Sequence, residues 1–130
     1  MADTFKFELV TPERMLMSQD AARVVVPGME GQFTVLPGHA PVISALRPGM
    51  LDIALADARS VRVFVKGGFA EVDAASVTVL AEQAWDVESM DQATIAAELQ
   101  TAEADLAGAG SDAARLAATS AVDQLKALQR

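Results

Sequence analysis

Cysteine and tyrosine are absent from this 130-residue chain, tryptophan and histidine occur once each, and the 10 basic residues are outnumbered by 18 acidic ones. Each lack removes a class of function. Without cysteine there is no disulfide framework and no thiolate metal site, which suits a reducing compartment such as the cytoplasm. With His39 as the one histidine, no second imidazole is available, so no metal is expected. A net charge of −8 repels phosphate backbones and anionic lipid surfaces, so neither nucleic acid nor direct lipid insertion is expected. No apolar run approaches the roughly 20 residues that a membrane-spanning helix requires. The opening MADTFKFELV carries neither a basic segment nor an apolar signal core, and an untargeted, soluble chain is the expectation.

Catalytic motifs are missing as well. There is no Walker-type phosphate loop, no HExxH and no G-x-S-x-G elbow, so no cofactor and no catalytic residue is expected. His39 has no identifiable nucleophile to activate and reads as a histidine held in a structured loop. Asp52 and Asp57, near a strand end, suit a solvated turn better than an acid pair. Trp85 falls at a junction between two patterns, where packing between halves explains it better than a ligand platform. Met15, Met17, Met29, Met50 and Met90 read as gap-filling core or junction residues.

What is present is a globular composition, 52% hydrophobic and 22% charged, of a length that suits one domain with a small appendage. From Thr4 to Glu82 the pattern is short and β-rich. Phe5, Phe7 and Leu9 alternate with Lys6 and Glu8, as a strand with one buried face requires. RMLMS, ARVVV, QFTVL, VISAL, MLDIAL, SVRVFV, GFAEV and SVTVLAE are further strand candidates. Pro27-Gly28, Pro37-Gly38, Pro48-Gly49, Asp57-Ala58 and Gly67-Gly68 are predicted as the turns between them. Many short strands with frequent turns predict an all-β sandwich or flattened barrel over residues 1–85.

Residues 86–130 read as helix. Ser89 and Gln92 have capping-box spacing, and Ile95, Leu99, Ala102 and Leu106 recur on one helical face. GAGSD breaks the pattern, with Gly108 or Gly110 suited to a helix end and Ser111 or Asp112 to the next N-cap. Ala114, Ala117, Ala121, Leu125 and Leu128 form a second stripe, so an antiparallel α-helical hairpin is predicted. Alanine buries little area, so this hairpin should be close-packed but weakly held. The acidity is concentrated here: 8 acids and 3 bases follow Trp85, against 10 acids and 7 bases up to it.

The stretch GMEGQFTVLPGHAPVISALRPGML, followed by VFVKGGFAEVDAASVTVLAE, resembles the epsilon subunit of bacterial F-type ATP synthases, the counterpart of the mitochondrial delta subunit. Its most specific parts are LPGHAP, the RPG that follows, KGGFAEV and VTVLAE. The resemblance implies a β-sandwich with a C-terminal helical hairpin and no catalysis of its own. It implies a rotor clamp that joins the gamma shaft to the membrane ring of c subunits during ion-driven ATP synthesis. The chain would then sit peripherally on the cytoplasmic face of the bacterial inner membrane.

By the same resemblance, Glu30, Gly31 and Gln32 form the turn that meets the polar loops of the c ring. His39, Ala40, Pro41 and Val42 belong to the gamma-facing side. Some bacterial relatives bind ATP through an aliphatic-Asp-x-x-Arg motif at the start of the first helix; here Met90 and Asp91 match, but Thr94 stands where the arginine would be. A hydroxyl cannot replace a guanidinium on phosphate, so weak or absent ATP binding is expected. In many relatives the hairpin also climbs the shaft and contacts the alpha and beta subunits through basic residues of its second helix. This second helix has Arg115, Lys126 and Arg130 against Asp112 and Asp123, so a weak inhibitor of hydrolysis is expected. Two other classes compete with this reading. A ligand-binding sandwich needs a concave polar pocket at Trp85 or His39, and an adaptor needs an exposed apolar hairpin face.

Overall fold

Phe5, Phe7 and Leu9 are buried and Lys6 is exposed, so the alternation at the start of the chain does form a strand, β1 (Phe5–Val10). The structure is a computed structural model and describes residues 3–129. Arg130, counted above in the second helix, lies outside the described residues. Strands β2 (Met15–Gly28), β3 (Gly31–Val35), β4 (Val42–Ala45), β5 (Gly49–Leu55), β6 (Ser60–Val72) and β7 (Ser76–Asp86) follow. A short 3-10 turn at Val87–Ser89 leads to α1 (Gln92–Ala107) and α2 (Asp112–Leu128).

The strands close on themselves. β1 pairs antiparallel with β2 and parallel with β7, and the ring is completed through β6 and β5 back to β2. β3 extends from β2 and β4 from β6. This is the expected flattened barrel or sandwich. Phe7, Leu9, Val24, Ile53, Val65 and Val79 are among the side chains that fill it and are wholly buried. Closure leaves few unpaired strand edges, which limits unwanted pairing with other chains.

The outer surface of the sheet carries the hairpin. Met50, Phe64 and Trp85 lie opposite one another on β5, β6 and β7. Leu99, Ala102, Ala121, Val122 and Leu125 of the helices pack onto this row. Lys66 on β6 adds an ion pair to Glu98 of α1 at 3.4 Å, and the Ser120 hydroxyl donates to the Pro48 carbonyl.

Several details differ from the expectations. RMLMS and ARVVV are one continuous strand, β2, and SVRVFV and GFAEV are one strand, β6. Gly67 and Gly68 therefore make no turn; at φ 73° and 114° they kink β6 internally. A Cβ on Gly68 would collide with the Leu80 carbonyl oxygen of the neighbouring strand, so glycine serves close approach here. Pro27-Gly28 also stays inside β2, and the turn is at Met29 and Glu30.

The α1 cap is Asp91, whose side chain accepts from the Thr94 backbone N–H, because Ser89 is taken up in the 3-10 turn. On α2 the buried face is Ala118, Ala121, Val122 and Leu125, while Ala114 is exposed beyond the end of the docking row. Gly108 and Ser111 end and begin the helices as expected. Met17, Met50 and Met90 pack against the two cores, whereas Met15 is 52% exposed.

Candidate partner-binding surface

The β2–β3 hairpin projects Glu30, Gly31 and Gln32 at its tip. Gly28 faces Gly31 across the hairpin, and a Cβ on Gly28 would come within 2.7 Å of the Gly31 carbonyl oxygen. Glycine thus lets the two strands meet tightly. The Met29 N–H donates to the Ala45 carbonyl at 2.8 Å and the Arg47 N–H to the Pro27 carbonyl at 3.1 Å. These bonds fasten the base of the tip to β4 and to the segment before β5. Glu30 and Gln32 are exposed and Gly31, at φ 145°, is half-buried.

The chain then crosses from β3 to β4 through Leu36–Pro41 without regular structure. The His39 N–H donates to the Leu36 carbonyl at 3.1 Å, and the Gly38 N–H donates to Ala74 at 3.0 Å, pinning the loop to the β6–β7 turn. His39 Nδ1 lies 2.6 Å from the Ala40 carbonyl oxygen, which only accepts, so Nδ1 carries the proton. The imidazole also lies 6.3 Å, centroid to centroid, from the Phe33 ring. It is a positioned side chain in a rigid loop.

These two predicted segments share one groove. Glu30, Gly31, Gln32, His39 and Val42 line a concavity of about 700 Å³, joined by Ile43 and Phe33. Ala40 is exposed outside it, and Pro41 lines a second groove with Val42, Ile43 and Glu71. Val42 is opposite the buried Val72, so it belongs to the core-facing side of the sheet edge. Its neighbour Ile43, 72% exposed, belongs to the outer side, where Phe69 and Leu80 are exposed too. Sequence reasoning passed over these three. The alternation that would have marked them is broken at Gly67-Gly68, which shifts the outward positions from Phe64 and Lys66 to Phe69 and Glu71.

At the start of α1, Met90 packs against the hairpin cluster and Asp91 and Thr94 meet at the cap. The Thr94 backbone N–H holds the Asp91 carboxyl below its ordinary range, with its side chain adding to the effect. That carboxylate is committed to the helix end. Asp57 is likewise bound in its own turn, accepting from the Arg59 backbone at 3.2 Å and side chain at 2.8 Å, and Asp52 sits opposite Arg62. Trp85 stacks on Phe64 at 5.7 Å, with a groove of about 310 Å³ beside it. Among the described residues, no three His, Cys, Asp or Glu side chains gather as metal ligands. No helix among them is long and apolar enough to cross a membrane.

Comparison with known proteins decides the family. Residues 4–87 match the model of the ATP synthase delta/epsilon chain β-sandwich domain. The chain belongs to the ATP synthase delta/epsilon family. It is 43% identical over 129 residues to the ATP synthase epsilon chain of Mesorhizobium japonicum, covering 99% of this chain and 96% of that one. It is 47% identical over 122 residues to the epsilon chain of Rhodospirillum centenum, covering 90% and 84%. A chain in the Euglena gracilis mitochondrial ATP synthase OSCP/F1/c-ring structure superposes with a TM-score of 0.73 at 23% identity, over 96% of this chain and 79% of that one. A chain in the Tetrahymena thermophila mitochondrial ATP synthase central stalk/c-ring structure does so at 0.65 and 17% identity, over 98% of each. At these identities the structural likeness is one of fold. The delta/epsilon sandwich is the ring of strands described above, with its two-helix pair behind it.

Proposed function

We propose that this chain is a non-catalytic rotor subunit of an F-type ATP synthase, joining the gamma shaft to the c ring so that ion flow turns them together. The sandwich, residues 1–85, is the binding domain, and the hairpin, residues 86–130, stabilises it. Glu30, Gly31 and Gln32 meet the c-ring loops; His39, Ala40, Pro41 and Val42 face gamma. The observation that carries this reading is the bracing of both segments onto one framework. Met29 is tied to Ala45, and Gly38 to Ala74, by backbone hydrogen bonds at 2.8 and 3.0 Å. A joint that transmits torque needs loops of fixed shape, and backbone bonds with proline and glycine at the bends supply it. An exposed ion pair from Glu30 contributes only about 0–1 kcal/mol, so apolar burial against gamma holds the joint.

The hairpin is a weak inhibitor of hydrolysis that approaches alpha and beta with an acidic surface and gains little attraction there. Met90, Asp91 and Thr94 do not form a nucleotide site, because Asp91 caps the helix and Thr94 carries no positive charge. The subunit reaches the cytoplasmic face of the inner membrane through its partners. Reconstitution of the full chain with gamma and the c ring tests this reading. A stable complex is expected from the wild-type chain, with Glu30→Lys weakening retention of the c ring and His39→Asp weakening retention of gamma. A wild-type chain that binds neither partner would overturn it.

A further inference from the structure

Lys66 opens the KGGFAEV segment, and its side chain reaches the helices rather than the partner-binding surface. Its amino group pairs with the Glu98 carboxylate of α1 at 3.4 Å, and the two side chains are only 19% and 22% exposed. Among the described residues this is the one ion pair that joins the sandwich to the hairpin. The other two, Asp57 with Arg59 and Asp112 with Arg115, stay within a turn and within α2. A second polar tie lies on the same line of the sheet. Gly49 of β5 is opposite Val65 of β6, so Pro48 and Lys66 are the next residues out on either side of that pair. The Pro48 carbonyl accepts from the Ser120 hydroxyl of α2, while Lys66 takes Glu98 of α1. Each helix is therefore tied once, at one level.

That level is a boundary. On one side of it the row Met50, Phe64 and Trp85 lies under Leu99, Ala102, Ala121, Val122 and Leu125. On the other side the sheet and the helices part around a concavity of about 820 Å³, whose walls include Gly67, Glu82 and Gln83 from the strands and Ala104, Gly108 and Ala117 from the helices. The hairpin is thus packed at its base and stands off at its tip. Ala102 and Ala121, two of the five helix residues on the packed side, bury little area, which leaves a larger share of the docking to the polar ties. Lys66 has no second acid in its pair: Gln83, opposite it on β7, is neutral, and the Glu82 carboxylate lies beside Gly67 without being bonded to Lys66.

We infer that the Lys66 and Glu98 pair is a latch that fixes the hairpin at one position on the sheet, with Ser120 on Pro48 as its counterpart under α2. The latch stands where the packed seam meets the open gap, so the tip side is where separation begins. Opening it leaves an ammonium and a carboxylate without partners between sheet and helix, and both gain by moving into water. The hairpin then lifts from the seam as a unit while the ring of strands stays closed, because no strand pairing runs through either helix. This inference concerns the two halves of the chain alone and stands independently of the rotor reading.

Amide hydrogen exchange of the full-length chain, read residue by residue by NMR, tests the latch. Helices of this length are marginal in water on their own, so a lifted hairpin exchanges its amides, and the rate follows the lifted population. Lys66→Gln and Glu98→Gln are each expected to speed exchange at Leu99 and Val122 about two- to fivefold, with Ile53 and Val79 of the barrel unchanged. The reversed pair, Lys66→Glu with Glu98→Lys, is expected to bring Leu99 and Val122 back toward the wild-type rate, which a loss of packing alone would not do. Glu82→Gln is the control and should leave all four amides as they are. Unchanged exchange at Leu99 and Val122 in both single variants would overturn the inference. So would equal acceleration at Ile53 and Val79, which would make the pair a support of the whole fold, or a reversed pair that exchanges as fast as the single variants. An effect of Glu82→Gln as large as that of Glu98→Gln would assign Lys66 to the kink instead and overturn it as well.

Discussion

Phe64 and Trp85 lie opposite each other on neighbouring strands and stack with ring centroids 5.7 Å apart, forming the floor on which the helical hairpin rests. Phe64 is wholly buried although it points out of the β core, because Leu99, Ala121 and Leu125 cover it. Phe64→Ala is therefore expected to cost about 3–5 kcal/mol, and to loosen the hairpin before the barrel. Trp85 is the one tryptophan, so its fluorescence reports the seam directly. A red-shifted emission with a lower melting temperature is expected; an unchanged spectrum and melt would show that the hairpin is held elsewhere.

The N-cap of α1 depends on pH. The Asp91 carboxyl is held below its ordinary value of 3.8 by the Thr94 N–H, so the folded state favours the charged form. Its contribution to stability is therefore complete above about pH 4 and is lost as pH falls through the lowered value. Asp91→Ala should lower the melting temperature at neutral pH, and the two proteins should converge as the wild-type carboxyl is protonated. Ser89→Ala should leave the melt unchanged. A constant gap between wild type and Asp91→Ala down to pH 2 would refute the cap's ionic part.

Gly68 tolerates no side chain, because its φ of 114° and the nearby Leu80 carbonyl both exclude a Cβ. Gly68→Ala should cost more than the about 1–3 kcal/mol that the backbone conformation alone would carry, because the clash with the Leu80 carbonyl adds to it, and should disturb the β6–β7 ladder. Gly110→Ala, in open space between the helices, is the matched control and should be close to neutral. Equal denaturant midpoints for the two variants would mean that β6 accommodates the methyl group by shifting.

Nucleotide binding by the isolated chain is expected to be weak or absent. Calorimetry should detect no saturable uptake of ATP at micromolar concentration, because Asp91 is engaged at the cap and Thr94 offers no cation. Thr94→Arg supplies the missing guanidinium and is the gain-of-function comparison. Saturable binding by the wild-type chain would show that other residues build the site.

In a reconstituted synthase, removal of residues 92–130 should leave ATP hydrolysis nearly unchanged and retain ion pumping. The hairpin's charges explain this. The described basic residues of α2, Arg115 and Lys126, are offset by Asp112 and Asp123, so the helix offers no net positive charge with which to grip an acidic surface. A several-fold rise in hydrolysis on truncation would show a strong brake and refute the charge argument.

Local periodicity was enough to divide the chain. Phe5, Phe7 and Leu9 alternate because one face of a strand is buried, and Ile95, Leu99 and Ala102 recur because one face of a helix is. Both patterns are written within a few residues, and LPGHAP with KGGFAEV carried the family. Other features depended on contacts between distant segments. Gly67-Gly68 reads as a turn because glycine permits turns and internal kinks alike; only pairing of β6 with β7 on both sides of the kink decides between them. Ser89 has capping-box spacing in sequence, but the 3-10 turn consumes it and leaves the cap of α1 to Asp91. Phe69, Leu80 and Val10 are dispersed along the chain and become neighbours only through strand register. Phe64, pointing outward from the sheet, is buried only because α1 and α2 fold back over it. Periodicity specifies which side of an element is apolar, whereas burial is set by what arrives from elsewhere in the chain to cover it.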